Sequence, residues 1–95
     1  MTYRPAQTLT VNNATSVLDD GLRAIADGQT QFDLAELTSV DSAAVATMLA
    51  WQRAARSNGK SLEFSNLPAN LQSLVHLYDV DGLLHTSPRA DLPHH

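Results

Sequence analysis

Apolar positions along this chain follow two rhythms that alternate. Residues 8–11 (TLTV) are rich in β-branched side chains and predict a short strand. Asn12 and Asn13 end it and offer a helix cap. Val17, Leu18, Leu22, Ile25 and Ala26 then recur at spacings of three and four, which predicts a helix over 15–27. Gly28 is a natural stop for it, and Gly21 weakens its middle. Residues 32–34 (FDL) predict a second strand. Residues 35–40 read as a turn with one apolar peg, Leu37. From Ser42 a long helix is indicated, with Val45, Met48, Leu49 and Gln52 on one face and Trp51 on the flank beside Ala44 and Ala55. Ala43, Ala44, Ala46, Ala50 and Ala54 raise its propensity and keep it slim. Asn58 and Gly59 end it, with Arg53 and Arg56 near the negative pole of the helix dipole. Residues 61–64 (SLEF) predict a third strand, and Pro68 suits the first turn of a third helix. Leu71, Leu74, Val75 and Tyr78 line that helix's inner face. Residues 79–82 break it, and Leu83 and Leu84 are expected to fold back onto the core. From Thr86 onward nothing requires order.

Strand and helix thus alternate three times. That order predicts an α/β fold: one small domain with a mostly parallel or mixed four-stranded sheet and alternating helices. The ordered core is expected over about 8–85, with a flexible tail over 86–95. Composition narrows the function further. A net charge of -4 gives no electrostatic reason to bind nucleic acid and no polybasic membrane anchor. The absence of cysteine excludes disulfides, zinc–thiolate sites and thiol catalysis. No apolar run approaches the roughly 20 residues of a membrane span. The N-terminal residues lack the apolar core of a secretion signal, so the chain is expected in the cytoplasm.

Candidate chemistry centres on Asp41 and Ser42. The simplest reading is a helix cap, worth about 1 kcal/mol. With Asp33 and Glu36 nearby, the same residues also suit the rim at the C-terminal ends of the strands, where partners usually dock on α/β sheets. A phosphate on Ser42 would gain from the helix dipole and be repelled by the neighbouring acids. Trp51 suits either the edge of the core or an interface anchor. His76, His85, His94 and His95 have no second ligand at metal spacing, so no metal site is expected. The sequon Asn13-Ala14-Thr15 reads as helix capping. The scattered glycines form no phosphate-cradling loop. Asp33 and Asp41 can be nominated as an acid–base pair, but solvated acids around a capped helix are the stronger reading. Neither an enzyme nor a cofactor is expected.

The segments FDL at 32–34 and VDSAAV at 40–45 resemble the signature of the STAS domain, which occurs in anti-sigma factor antagonists and anion transporter tails. That signature is an apolar-Asp-apolar strand, a turn, then Asp-Ser/Thr, small residues and an apolar residue opening a helix. The Asn58-Gly59 continuation into a strand and the helix ending Leu77-Tyr78-Asp79-Val80 fit as well, so the resemblance spans about 8–84. Within the family it runs to the MlaB-like branch, the stand-alone subunits of a phospholipid ABC transport system, through Leu74, Leu77, Tyr78 and the short end after Leu84. One departure is Ala44, where the family often has Gly.

The resemblance implies a non-catalytic adaptor without cofactor. Its docking surface would comprise Thr38, Ser39, Asp41, Ser42, Ala43 and Thr47, with Trp51 as a further anchor. Its partner would be an MlaF-like ATPase subunit and, through it, the permease. It would lie in the cytoplasm, peripheral to the inner membrane, and serve phospholipid trafficking and outer-membrane lipid asymmetry. The alternative implied by the family is an anti-sigma factor antagonist, with Ser42 phosphorylated by a serine kinase that binds a sigma factor. A third possibility is a small enzyme or nucleotide-binding domain that depends on Asp33.

Overall fold

The N-terminal segment lies between two sets of strands and joins them. In the computed structural model, which describes residues 2–5, 7–84 and 86–88, the order is β1 (Gln7–Leu9), α1 (Ala14–Ala26), β2 (Gln31–Asp33), β3 (Leu37–Val40), α2 (Ser42–Ser57), β4 (Glu63–Leu67), α3 (Ala69–Leu77), a 3-10 turn (Asp81–Leu83) and β5 (Thr86–Pro88). β1 pairs with β3, and β4 lies between β2 and β5, all in parallel. Tyr3 bridges to Phe32, donating its N–H to the Gln31 carbonyl at 3.2 Å and accepting the Asp33 N–H at 2.9 Å. Four residues later Gln7 donates to the Glu36 carbonyl at 2.9 Å. A positive φ of 66° at Gln7 moves the backbone from β2 across to β3.

One face of β2 and β4 is polar and the other apolar, as a period of two requires. Phe32 and Phe64 stand in register and are buried, whereas Gln31 and Glu63 beside them are exposed and joined side chain to side chain at 3.2 Å. The apolar side receives α2. Trp51 is 0% exposed and stacks on Phe64, with Tyr3 and Phe32 edge-on to it. Its indole N–H donates to the Leu18 carbonyl at 3.0 Å, so the polar atom that burial would otherwise strand is satisfied.

Trp51 therefore belongs to the core and is not an interface anchor. Val45, Met48 and Gln52 are buried as expected, but the buried face of α2 centres on Ala44, Met48, Trp51 and Ala55, and Leu49 is only half-buried. This inner face is rotated from the one the sequence suggested because α1 makes room for the indole. A Cβ on Gly21 would collide with the Trp51 ring. Gly21, which read as a weak point of the helix, is the residue that lets α1 and α2 approach.

Further expectations are corrected. Residues 35–40 are not all turn: Leu37–Val40 form β3, whose exposed Thr38 and Ser39 gave no apolar alternation. Asn13 sits at the start of α1 but makes no cap bond. Its side chain instead accepts from the Thr10 N–H at 3.0 Å and donates to the Thr8 carbonyl at 2.8 Å, closing the turn after β1. Thr86–Pro88, where nothing required order, add a strand to β4, while residues 89–95, with His94 and His95, and His85 lie outside the described residues. Leu84 is buried as expected, but Leu83 and Tyr78 are 57% and 50% exposed. Tyr78 lies past the last helical turn and so leaves the α3 inner face that Leu71 and Val75 hold.

Candidate docking site at the start of helix α2

β3 ends at Val40, and Asp41 turns the chain into α2. Asp41 is extended (φ -137°, ψ -166°), which aims its carboxylate back at the first turn. Oδ1 accepts the Ala43 N–H at 2.8 Å, a cap on one of the open donors of a helix start. Oδ2 accepts the Val11 N–H at 3.1 Å. One carboxylate thus ties the β1–α1 turn, through the backbone of the 75% exposed Val11, to the α2 start.

Ser42 is exposed, and its hydroxyl makes no hydrogen bond among the described residues. Thr38 and Ser39 are exposed on β3, with the Thr38 hydroxyl donating to the Gln7 carbonyl at 3.1 Å and the Asn70 amide donating to the Thr38 carbonyl at 3.2 Å. Ala43 is half-buried. Thr47 does not belong to this surface. It is 5% exposed, and its hydroxyl donates to the Ala43 carbonyl one turn back at 2.7 Å. Thr38, Ser39, Asp41, Ser42 and Ala43 therefore come together, while Thr47 and Trp51 point inward.

The residues missed are apolar. Ser42, Val45, Ala46 and Leu49 of α2 face Tyr78 and Val80 across an open groove of ≈ 440 Å³. The sequence pattern puts Val45 and Leu49 on the inner face of α2, and the stretch after α3 gives no sign of lying against them.

Asp33 does not join Asp41. It sits at the end of β2 with its own partners: Arg4 at 3.3 Å, the Asn66 amide at 3.1 Å and the Ala35 N–H at 3.0 Å. Burial pushes this carboxyl up, but the Ala35 and Asn66 hydrogen bonds and the Arg4 guanidinium outweigh it and hold it below its ordinary value. An acid pinned this way serves as a structural knot between β2, β4 and the N-terminal segment. Among the described residues it shares no hydrogen-bond partner with Asp41. Burial likewise raises the Tyr3 hydroxyl to about 12, with the Asp20 carboxylate adding to the effect and Arg23 opposing it.

Strand, acid, turn and capped helix, with small residues after the cap, are thus in place. The family model of the MlaB-type STAS domain matches residues 6–85. The chain belongs to the STAS domain family. That match runs from the N-terminal segment to the last turn before β5, so every element of the docking rim lies inside the STAS domain. No curated protein matches the chain. Among the described residues, no helix of this STAS domain is long and apolar enough to cross a membrane. Among them, too, no three His, Asp or Glu side chains gather as a metal site would require.

Proposed function

We propose that this STAS domain is a non-catalytic adaptor. It docks on the ATPase of an inner-membrane ABC transporter for phospholipids and supports assembly of that complex from the cytoplasmic side. The observation that carries the reading is the α2 start. The exposed Ser42 hydroxyl, with no hydrogen bond among the described residues, follows the capping Asp41 and lines an apolar groove. An apolar patch with polar groups at its edge matches the anatomy of a protein interface, apolar at the centre and polar at the rim. Membership of the MlaB-type family supports the choice of partner. Nothing in the site supplies a nucleophile–base pair, and STAS domains are generally non-catalytic.

The exposure of Ser42 also favours a second reading, the anti-sigma factor antagonist whose serine is phosphorylated by a cognate kinase. Gentle-detergent affinity purification from native cells, followed by mass spectrometry, separates the two. Recovery of an ABC ATPase with its permease is the expected result. Recovery of a soluble serine kinase that binds a sigma factor would replace the transporter reading with the second.

A further inference from the structure

Beyond the cap, α2 presents a second ordered pattern to solvent. Ser42, Ala46, Leu49, Arg53 and Arg56 recur at spacings of four, three, four and three, which places them along one face. All are exposed except Leu49, which is half-buried. Arg53 and Arg56 make no ion pair among the described residues, whereas Arg4 and Arg23 each hold an aspartate. At the other end of the stripe Asp41 carries the cap, and its charge meets only backbone N–H groups. The stripe therefore runs from acid, through small and apolar residues, to base, and its midpoint is Leu49.

A surface ordered this way is complementary to itself under a two-fold rotation. A second α2 laid antiparallel about Leu49 sets Arg56 of the second copy near Asp41 and Ser42, and Ala46 opposite Arg53 of the second copy. The apolar groove has a side chain to receive. The Arg53 stem of the second copy lies along Ala46 and Leu49, and its guanidinium reaches the face of the half-exposed Tyr78, next to Asp79, which is exposed and in no ion pair among the described residues. Antiparallel helix dipoles add to the attraction. Two chains of net charge -4 repel at long range, but at physiological salt that repulsion is screened beyond about 8 Å while contacts between facing charges survive.

We propose that a second copy of this chain docks antiparallel on α2, centred on Leu49, and covers the Ser42 face in the free protein. The association is transient, because the stripe is narrow and each copy fills only one small groove of the other. It concerns the chain alone and stands whether or not the transporter reading holds. Where both hold, self-association shields the docking face until the ATPase displaces the second copy.

The test uses the full chain. Sedimentation across a concentration series is expected to show a reversible monomer–dimer equilibrium. Arg53→Glu with Arg56→Glu sets like charges against Asp41 and Asp79 and is expected to raise the dimer dissociation constant by about tenfold or more. The lack of native cysteine gives a clean second probe. Under mild oxidation, Leu49→Cys is expected to cross-link to a covalent dimer, and Ser16→Cys on the exposed side of α1 is not. A wild-type chain that stays monomeric at its highest soluble concentration overturns the proposal. So does a dimer that ignores the double charge reversal, or cross-linking at position 49 no faster than at position 16. A chain that dimerises as described but captures no ATPase would sink the transporter reading and leave this one intact.

Discussion

Asp41 concentrates two tasks in one side chain, and Ser42 next to it makes no hydrogen bond among the described residues. Their substitutions should therefore separate stability from binding. Asp41→Ala removes the Ala43 cap and the tie to the Val11 N–H together. Loss of a cap alone costs about 1 kcal/mol, and the second, exposed bond adds less than that, so a total near 1–2 kcal/mol is expected from urea unfolding. Asp41→Asn, which keeps one accepting oxygen, should recover most of the loss. Ser42→Glu is expected to leave the circular dichroism spectrum unchanged, since the side chain is solvated and a carboxylate suits a helix N-terminus. The same substitution should weaken partner binding by about tenfold, or 1.4 kcal/mol, on calorimetric titration. Equal affinities for Ser42→Glu and the wild type would take Ser42 out of the interface.

Contact between elements decides what the sequence reveals and what it hides. The three helices were legible because apolar residues at three-and-four spacing can bury a face only as helices. Asp41 and Ser42 were legible as a helix start for an equally local reason: the cap is made within three residues. β3 was not, because an edge strand with one buried residue, Leu37, has no alternation to display. The true inner face of α2 was hidden as well. It depends on how close α1 comes, and that depends on the missing Cβ of Gly21, distant in sequence from Trp51. Gly21→Ala makes this concrete. In an isolated helix the change favours folding by about 1 kcal/mol. Here the added methyl meets the fully buried Trp51 ring, and overpacking of this kind costs typically 1–3 kcal/mol. Net destabilisation is expected, with a lower denaturation midpoint and disturbed Trp51 fluorescence. A more stable variant would mean that α1 and α2 do not pack as tightly as described.

At the scale of the whole molecule, the two sets of strands meet along the N-terminal segment, and this makes the domain sensitive to acid. Tyr3 pairs with β2 and packs against Phe32 and Trp51, Arg4 pairs with Asp33, and after Gln7 the same strand belongs with β3. Asp33 is the acidic member of that seam, also holding Asn66 of β4 and the Ala35 N–H. Its folded-state pKa lies below its ordinary value of 3.8, so ionised Asp33 favours the folded state. That contribution is fully present above the ordinary value and is lost as pH falls through the depressed one. Asp33→Asn is isosteric but cannot ionise, so it should be less stable than the wild type near neutral pH. The difference should shrink as pH drops below about 4, and the two unfolding midpoints should converge at the acid end. Because Tyr3 touches Trp51, the indole emission reports the same event: loosening of the seam admits water and moves the emission to the red. A stability difference that stays constant from neutral to strongly acid pH would show that Asp33 acts there through its shape and hydrogen bonds and not through its charge.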